Sequence, residues 1–287
     1  MPGSEPFVSA EIAGARQREM RARRSGSVYR VFIARPLLPA PPAGYPVIYL
    51  LDANAAFGTL AEAVRMQSAR PQATGVSPAV VVGIGYPTEL PLDYTPDVDR
   101  AALSARPDGS AWPPTGGAEA FLDFIETELK SAIAQEVPID PARQILFGHS
   151  FGGLFTLYAL FHRPGTFQAY IAGSPSIWFG DRAILRAERA FTERASAIAR
   201  DVRVMIAVGA LEQTLAPGER DTPGSSQRIA WIGANRMVDN AREMAGRLAA
   251  LAHYGVRVAY EELEDENHVS VIPAMTSRAL RFALGRS

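Results

Sequence analysis

The sequence predicts an α/β protein with one doubly wound, mostly parallel sheet and an antiparallel hairpin at its N-terminal edge. Three observations support this: short β-branched apolar runs without alternation, helical patterns between those runs, and two mixed polar and apolar segments near the N-terminus. Such apolar runs are typical of strands that are buried on both faces. Strands that alternate with helices favour a parallel sheet covered by helices.

The N-terminal segments predict the hairpin. Residues 17–24 and 28–35 mix polar and apolar side chains, as strands with one solvated face do, and Ser-Gly-Ser at 25–27 separates them. The proline-rich residues 36–46 that follow predict a loop.

Apolar runs and amphipathic segments then alternate along the rest of the chain. The predicted strands are residues 47–51, 79–84, 144–147, 168–172, 202–208 and 256–260. The predicted helices are residues 118–134, 154–161, 181–199, 228–252 and 273–284. One sheet accounts for all of them, so we predict a single domain over residues 1–287. Residues 86–117 and 213–227 do not fit the alternation, and loops of that length often bind ligands.

Composition excludes several classes of function. The chain has 287 residues, a formal net charge of −1 and no cysteine. A nearly neutral chain has no field to hold nucleic acid or an acidic membrane. Without cysteine there is no disulfide, thiol nucleophile or thiolate metal site, and no paired histidines stand at metal-ligand spacing, so we expect neither a metal nor another cofactor. Residues 1–26 lack the apolar run of a secretory signal, and no segment approaches the ~20 apolar residues of a membrane span. We therefore predict a cytoplasmic protein; its oligomeric state stays open.

The most informative stretch is Gly-His-Ser-Phe-Gly-Gly at residues 148–153. The pattern Gly-x-Ser-x-Gly between a strand and a helix forms a sharp turn that lifts the serine hydroxyl above the sheet edge. A predicted strand precedes the motif and a predicted helix follows it, which is the context that the turn requires. We therefore predict Ser150 as a nucleophile.

A serine nucleophile needs a base, and chain order selects His268 among the four histidines. His268 follows the last predicted strand, where the base stands in the order Ser, acid, His. Glu212 is the first carboxylate after the strand 202–208 and is the predicted acid. Asp265 and Glu266 lie on the histidine's own loop and are weaker candidates.

An oxyanion hole needs two backbone donors. One is predicted at Phe151, directly after the nucleophile. The other should come from the loop after the strand 47–51, where Ala53 and Asn54 both qualify.

With these residues, the chain from about Val28 onward resembles the Putative esterase family of α/β-hydrolases, in the branch of the enterobactin and bacillibactin esterases. The resemblance is carried by residues 49–54, 82–86, 93–96, 121–126, 148–153, 174–178, 208–212 and 266–268. It implies the α/β-hydrolase fold and catalysis by Ser150 and His268, with Glu212 as the acid. It also implies a small-molecule substrate, a (ferric) catecholate siderophore trilactone whose ester hydrolysis releases iron. Trp178 and Tyr86 are expected to contact this substrate.

Other functions remain open at this stage. A general carboxylesterase or an S-formylglutathione hydrolase would use the same triad, as would a haloperoxidase or an acyltransferase. A non-catalytic relative that keeps the fold to bind a ligand belongs to a different class.

Overall fold

The sheet is mostly parallel, with helices on both faces and an antiparallel hairpin at one edge, as predicted. The computed structural model describes residues 7, 9–87, 92–106, 108–198, 201–215 and 224–285. The hairpin pairs β1 (Ala15–Arg21) with β2 (Val28–Ala34), and β2 runs antiparallel to its other neighbour. The parallel strands are β3 (Tyr45–Leu51), β4 (Val80–Gly85), β7 (Ile139–His149), β8 (Ala169–Gly173), β9 (Val202–Gly209) and β10 (Val256–Leu263).

The strand order is β1-β2-β4-β3-β7-β8-β9-β10. From β3 the chain first adds β4 on one side of β3 and later adds β7 on the other side. The strand order therefore reverses between β3 and β7. Ligands of open parallel sheets bind outside the carboxyl ends of the strands at such a reversal. The loops after β3, β7, β8, β9 and β10 therefore converge at one place.

The helices divide between the two faces. On one face lie α1 (Ala53–Ser68) and α11 (Val271–Leu284), which contact each other. On the other lie α5 (Phe151–His162), α7 (Ile184–Glu193), α10 (Met237–Ala249) and a long helix of three parts. Those parts are α3 (Ala118–Phe124), a π-helical turn (Ile125–Leu129) and α4 (Lys130–Glu136). The remaining short elements are α2 (Pro71–Thr74), α6 (Phe179–Arg182), α8 (Ala195–Ile198), α9 (Ser225–Asn235) and the 3₁₀ turns Arg100–Ala102, Ala210–Gln213 and Ala252–Tyr254.

Four predictions of secondary structure were wrong. Residues 53–55, predicted as a loop, begin α1, which places Phe57, Leu60 and Val64 on its buried side. The predicted helix 181–199 is broken. Asp181 and Arg182 adopt φ values of 50° and 59°, so α7 begins only at Ile184, and α7 ends at Glu193 before α8 begins at Ala195.

The predicted helix 228–252 is two helices, α9 and α10. Arg236 separates them in the left-handed conformation, with φ 46°. The predicted loop 86–117 contains the short parallel strands β5 (Leu92–Thr95) and β6 (Thr115–Gly117). Of the predicted loop 213–227, residues 216–223 lie outside the described part of the chain.

Candidate active site

The turn from β7 to α5 holds Ser150 in a strained conformation. Its φ is 57° and its ψ is −117°, a region that non-glycine residues rarely adopt. The Ser150 amide donates to the Gly173 carbonyl (2.9 Å), and the Ser150 carbonyl accepts from the amides of Leu154 (3.0 Å) and Ser176 (3.1 Å). A Cβ on Gly148 would lie 2.1 Å from the Gly152 carbonyl oxygen, so the turn closes only with glycine at 148.

His268 lies on the loop between β10 and α11, with its ring next to Ser150. The distance from His268 Nε2 to Ser150 Oγ is 3.0 Å, within hydrogen-bond range, although 118 positions separate the residues in the chain. The Asn267 side chain shapes this loop by accepting from the amides of Val269 (2.9 Å) and Ser270 (3.1 Å). The structure thus brings the predicted base to the predicted nucleophile.

Glu212 completes the chain of hydrogen bonds from the turn after β9. Its Oε2 lies 2.6 Å from His268 Nδ1, and its Oε1 accepts from Ser174 Oγ (2.5 Å) and the Gly209 amide (2.7 Å). Burial favours the neutral acid, but the bond and charge of His268, together with the two other donors, hold the Glu212 pKa below its usual value. Glu212 is therefore a carboxylate with a 1% exposed side chain that orients the imidazole.

Two serines that the sequence analysis did not assign a role lie in the same site. Ser174 is fully buried, adopts φ 40° and directs its hydroxyl at Glu212. Ser176 Oγ lies 3.4 Å from Ser150 Oγ. Both follow β8 directly, so their position at the carboxyl end of a strand was the available signal.

His149, which precedes the nucleophile, faces the other side of the His268 ring. The centroids of the two imidazoles are 4.6 Å apart, and His149 Nε2 is buried without a hydrogen-bond partner among the described residues. Burial, and to a smaller degree the charge of His268, lower the pKa of His149 to about 3. His149 is therefore neutral at physiological pH, so it adds no positive charge beside a protonated His268.

The candidate oxyanion-hole residues lie at the starts of two helices. Phe151 is the first residue of α5, and Ala53 is the first residue of α1. First-turn amides have no partner within their helix and can bind an anion. The side chain of Asn54 is held elsewhere, because it donates to the Tyr86 carbonyl and accepts from the Tyr86 amide, both at 2.9 Å. The Asn54 side chain is therefore occupied, and the backbone amides of Ala53 and Asn54 both stay candidates for the second donor.

Tyr86 does not occupy the position that we expected. Only 2% of its surface is exposed, and its ring packs against those of Tyr29 (centroids 5.7 Å apart) and Tyr94 (6.2 Å). The strand β4 ends one residue earlier, which directs this side chain into the core. The Tyr86 backbone instead holds the Asn54 side chain at the start of α1. We therefore correct the expectation that the Tyr86 side chain contacts the substrate.

A pocket of about 640 Å³ opens beside Ser150 and His268. We call it the aromatic pocket; its lining includes Arg106, Trp112, Ser150, Phe151, Trp178, Arg228, Trp231, Asn235 and His268. Trp112 contacts Trp178 with ring centroids 6.1 Å apart, and Trp178 contacts Trp231 at 5.5 Å. The Arg106 guanidinium lies over the Trp112 ring, 5.5 Å from its centroid, and 3.4 Å from Asp108. Trp178 thus lies where the sequence predicted substrate contact.

Two hydrogen-bond donors in this lining are buried without a partner. Within the described part of the chain, neither the indole N–H of Trp231 nor the side-chain amide of Asn235 makes a hydrogen bond. Buried donors are almost always satisfied in folded proteins. Both donors belong to residues that line the aromatic pocket.

A second, smaller pocket of about 310 Å³ lies on the α1 and α11 side of the same two residues. We call it the apolar pocket; its lining includes Leu50, Asp52, Ala56, Leu60, Tyr94, His149 and Ile272. Ser150, Phe151, His268 and Val269 line both pockets. The nucleophile and base therefore form the boundary between two spaces of different chemistry.

Two kinds of feature are missing from the described residues. No group of three or more histidine, aspartate or glutamate side chains is placed to hold a metal ion. No helix among these residues has the length and apolar character needed to cross a membrane.

Comparison with known proteins gives consistent results. The profile of the family described as Putative esterase matches residues 24–238. The chain is 46% identical over 279 residues to the ferri-bacillibactin esterase BesA of Bacillus subtilis, covering 95% of this chain and 90% of that protein. It is 36% identical over 242 residues to the siderophore triacetylfusarinine C esterase of Aspergillus fumigatus, covering 82% and 80%. The crystal structure of the BES protein from Bacillus cereus superposes with a TM-score of 0.83 at 37% identity, covering 99% of this chain and 100% of that one.

Proposed function

Since the chain belongs to the Putative esterase family and has the α/β-hydrolase fold, we propose that it is a serine esterase that hydrolyses the ester bonds of a siderophore. The observation that carries this proposal is the bridge that His268 makes between Ser150 (3.0 Å) and Glu212 (2.6 Å). Relatives that cover most of the chain are named for siderophore ester substrates.

The proposed reaction is acyl transfer in two steps. His268 Nε2 takes the Ser150 proton as Oγ attacks the ester carbonyl carbon, and Glu212 stabilises the imidazolium that forms. The negative charge on the carbonyl oxygen is held by the amide of Phe151 and by the amide of Ala53 or Asn54. The carbon–oxygen bond breaks, and the leaving alkoxide takes the proton from His268. Water, deprotonated by His268, then attacks the acyl-enzyme and releases the carboxylic acid and free Ser150.

The aromatic pocket suits an aromatic, oxygen-rich and negatively charged substrate such as a catecholate siderophore. Trp112, Trp178 and Trp231 offer ring faces and edges, and Arg106 and Arg228 bring positive charge to the same wall. The unpartnered donors of Trp231 and Asn235 match the acceptor oxygens of such a ligand. Iron would enter as part of this substrate, and no resident metal is needed for the chemistry proposed.

The test is hydrolysis of a ferric catecholate trilactone by the wild-type protein and by Ser150→Ala, followed by chromatography. Phenyl acetate and S-formylglutathione serve as comparison substrates. Efficient cleavage of the trilactone that disappears in the variant would support the proposal.

Other outcomes would lead to different conclusions. Cleavage of only the simple esters would keep the Ser150 chemistry and move the function to a general carboxylesterase or an S-formylglutathione hydrolase. A wild-type protein that neither turns over any ester nor reacts with a fluorophosphonate probe would be a ligand-binding relative without catalysis. A cytoplasmic location stays a prediction from the sequence.

A further inference from the structure

The apolar pocket adjoins the nucleophile but has no role in the mechanism above. It is formed where the start of α1 meets the start of α11, and its wall is mainly aliphatic. Leu50 of β3, Leu60 of α1 and Ile272 of α11 contribute aliphatic side chains to this wall. Ala56 of α1 leaves space because its side chain is only a methyl group. Its volume of about 310 Å³ is within the range of ligand sites.

Ester geometry requires space on two sides of the nucleophile. The carbonyl carbon that Ser150 attacks carries the acyl chain on one side and the alkoxy group on the other, and both must fit at the moment of attack. Because Ser150 and His268 line both pockets, an ester held at Ser150 has the aromatic pocket on one side and the apolar pocket on the other.

The charges of the two walls differ. The aromatic pocket includes Arg106, which is 3.4 Å from Asp108, and also Arg228, whereas the described lining of the apolar pocket includes no arginine or lysine. The apolar pocket instead contains the Asp52 carboxylate, which accepts a hydrogen bond from the Tyr94 hydroxyl at 2.7 Å. An anion placed there would lose its hydration and meet a carboxylate without a compensating cation. This pocket therefore selects against a negatively charged group.

Two of the polar groups around the apolar pocket are occupied within the protein, since the Thr276 hydroxyl donates to the Ile272 carbonyl and the Tyr94 hydroxyl to the Asp52 carboxylate, both at 2.7 Å. One buried atom of the lining, His149 Nε2, has no hydrogen-bond partner among the described residues. What the pocket offers to a ligand is mainly aliphatic surface from α1, α11 and β3.

We propose that the apolar pocket is a second substrate subsite, which takes the uncharged aliphatic side of the ester while the aromatic, anionic side stays in the aromatic pocket. This proposal rests on Ser150 being the nucleophile of the proposed function. For a siderophore, the charged iron-binding groups would stay on the tryptophan side and part of the uncharged ester backbone would pass across Ser150.

The test is Ala56→Phe, assayed with p-nitrophenyl esters of straight-chain acids from acetate to octanoate. The proposal places the nitrophenyl ring in the aromatic pocket, which leaves the apolar pocket for the acyl chain. We expect Ala56→Phe to hydrolyse the acetate within about threefold of wild type and to lose tenfold or more in kcat/KM for hexanoate and octanoate. Thr59→Phe is the matched control, because Thr59 is an exposed residue of the same helix that does not line the described pocket, and it should keep the wild-type profile.

A smaller substitution, Ala56→Val, covers the case in which the phenyl ring prevents folding, and it should reduce octanoate hydrolysis alone. If both variants fold and keep the wild-type dependence on chain length, the subsite proposal is wrong. That outcome is distinct from failure of the proposed function, which would appear as a wild-type protein that does not cleave the ferric trilactone or as full activity of Ser150→Ala.

Discussion

Replacing Glu212 by glutamine should stop catalysis while leaving the fold and substrate binding nearly intact. Glutamine has the shape of glutamate, and its carbonyl oxygen can still accept from Ser174 and the Gly209 amide, as Oε1 does now. Its NH₂ group then faces His268 Nδ1. Two donors cannot face each other, so Nδ1 has to become the acceptor and the ring proton moves to Nε2. A protonated Nε2 cannot accept the proton of Ser150.

The size of the effect follows from this change of tautomer. Acid-to-amide changes at the equivalent position of serine hydrolases reduce kcat by about 10⁴, which corresponds to about 5.5 kcal/mol in activation free energy. The lost charge-assisted hydrogen bond is worth about 1.5–3 kcal/mol, and the wrong tautomer accounts for the rest. KM should change little, because the Glu212 side chain is 1% exposed and both of its oxygens are engaged by His268, Ser174 and the Gly209 amide.

The assay is steady-state hydrolysis of p-nitrophenyl acetate and of the ferric trilactone, with thermal melts to check folding. Asp265→Asn is the control, since this carboxylate lies on the His268 loop but is exposed, and asparagine tolerates its φ of 61°. The control should keep the wild-type kcat. A Glu212→Gln protein that folds and retains more than a tenth of the wild-type kcat would refute the role assigned to Glu212.

Two further predictions concern the aromatic pocket and Lys130. Trp231→Phe keeps an aromatic ring but removes the unpartnered indole N–H. We expect KM for the ferric trilactone to rise about tenfold while p-nitrophenyl acetate hydrolysis is unchanged. Equal KM values for the trilactone in the variant and the wild type would contradict this. Burial lowers the pKa of Lys130 to about 8, against a smaller opposing effect of Glu126. Between about pH 8 and pH 10.4 the unfolded chain therefore binds more protons at Lys130 than the folded protein does, so the free energy of unfolding rises with pH over that window. Below about pH 8 the ammonium group is charged in both states, and the full cost of burying it destabilises the fold. Lys130→Met should raise the free energy of unfolding at pH 7 by about 1–2 kcal/mol, a net gain that already includes the lost hydrogen bond to the Thr166 carbonyl and the lost contact with Phe167. Urea unfolding at pH 7 and pH 10 should show that the stability of the variant depends less on pH than that of the wild type. Parallel pH dependences of the two proteins would show that burial of this ammonium group costs nothing.

Several features were predictable because they depend on local pattern. The strands 47–51, 79–84 and 202–208 are short apolar runs, and burial on both faces of a parallel sheet requires that pattern. The turn at Ser150 was identifiable because its glycines prevent contacts that any side chain would make, as the 2.1 Å approach at Gly148 shows.

Other features depend on contacts between distant segments and could not be read locally. Helical periodicity continues through residue 236, yet Arg236 adopts a left-handed conformation in which its guanidinium contacts Glu243 (2.7 Å). Gly180, directly before the predicted helix 181–199, adopts φ 59°, and a Cβ there would lie 2.5 Å from Val98, which comes from another part of the chain. Tyr86 begins the segment 86–117, which was predicted to be a loop that binds a ligand. Its side chain is buried instead, because it packs against Tyr29.

By itself, the sequence determined the layered α/β architecture, the strained serine turn and the order in which Ser150, Glu212 and His268 follow their strands, because hydrophobic period and glycine placement act over a few residues. Only the tertiary structure decided that His268 Nε2 lies 3.0 Å from Ser150 Oγ, that the Asn54 side chain is held by Tyr86, and that the nucleophile stands between an aromatic and an apolar pocket. Those facts depend on the registers of neighbouring strands and on how α1, α9 and α11 pack beside the strand ends. Residues far apart in the chain set this packing, so no local pattern encodes it.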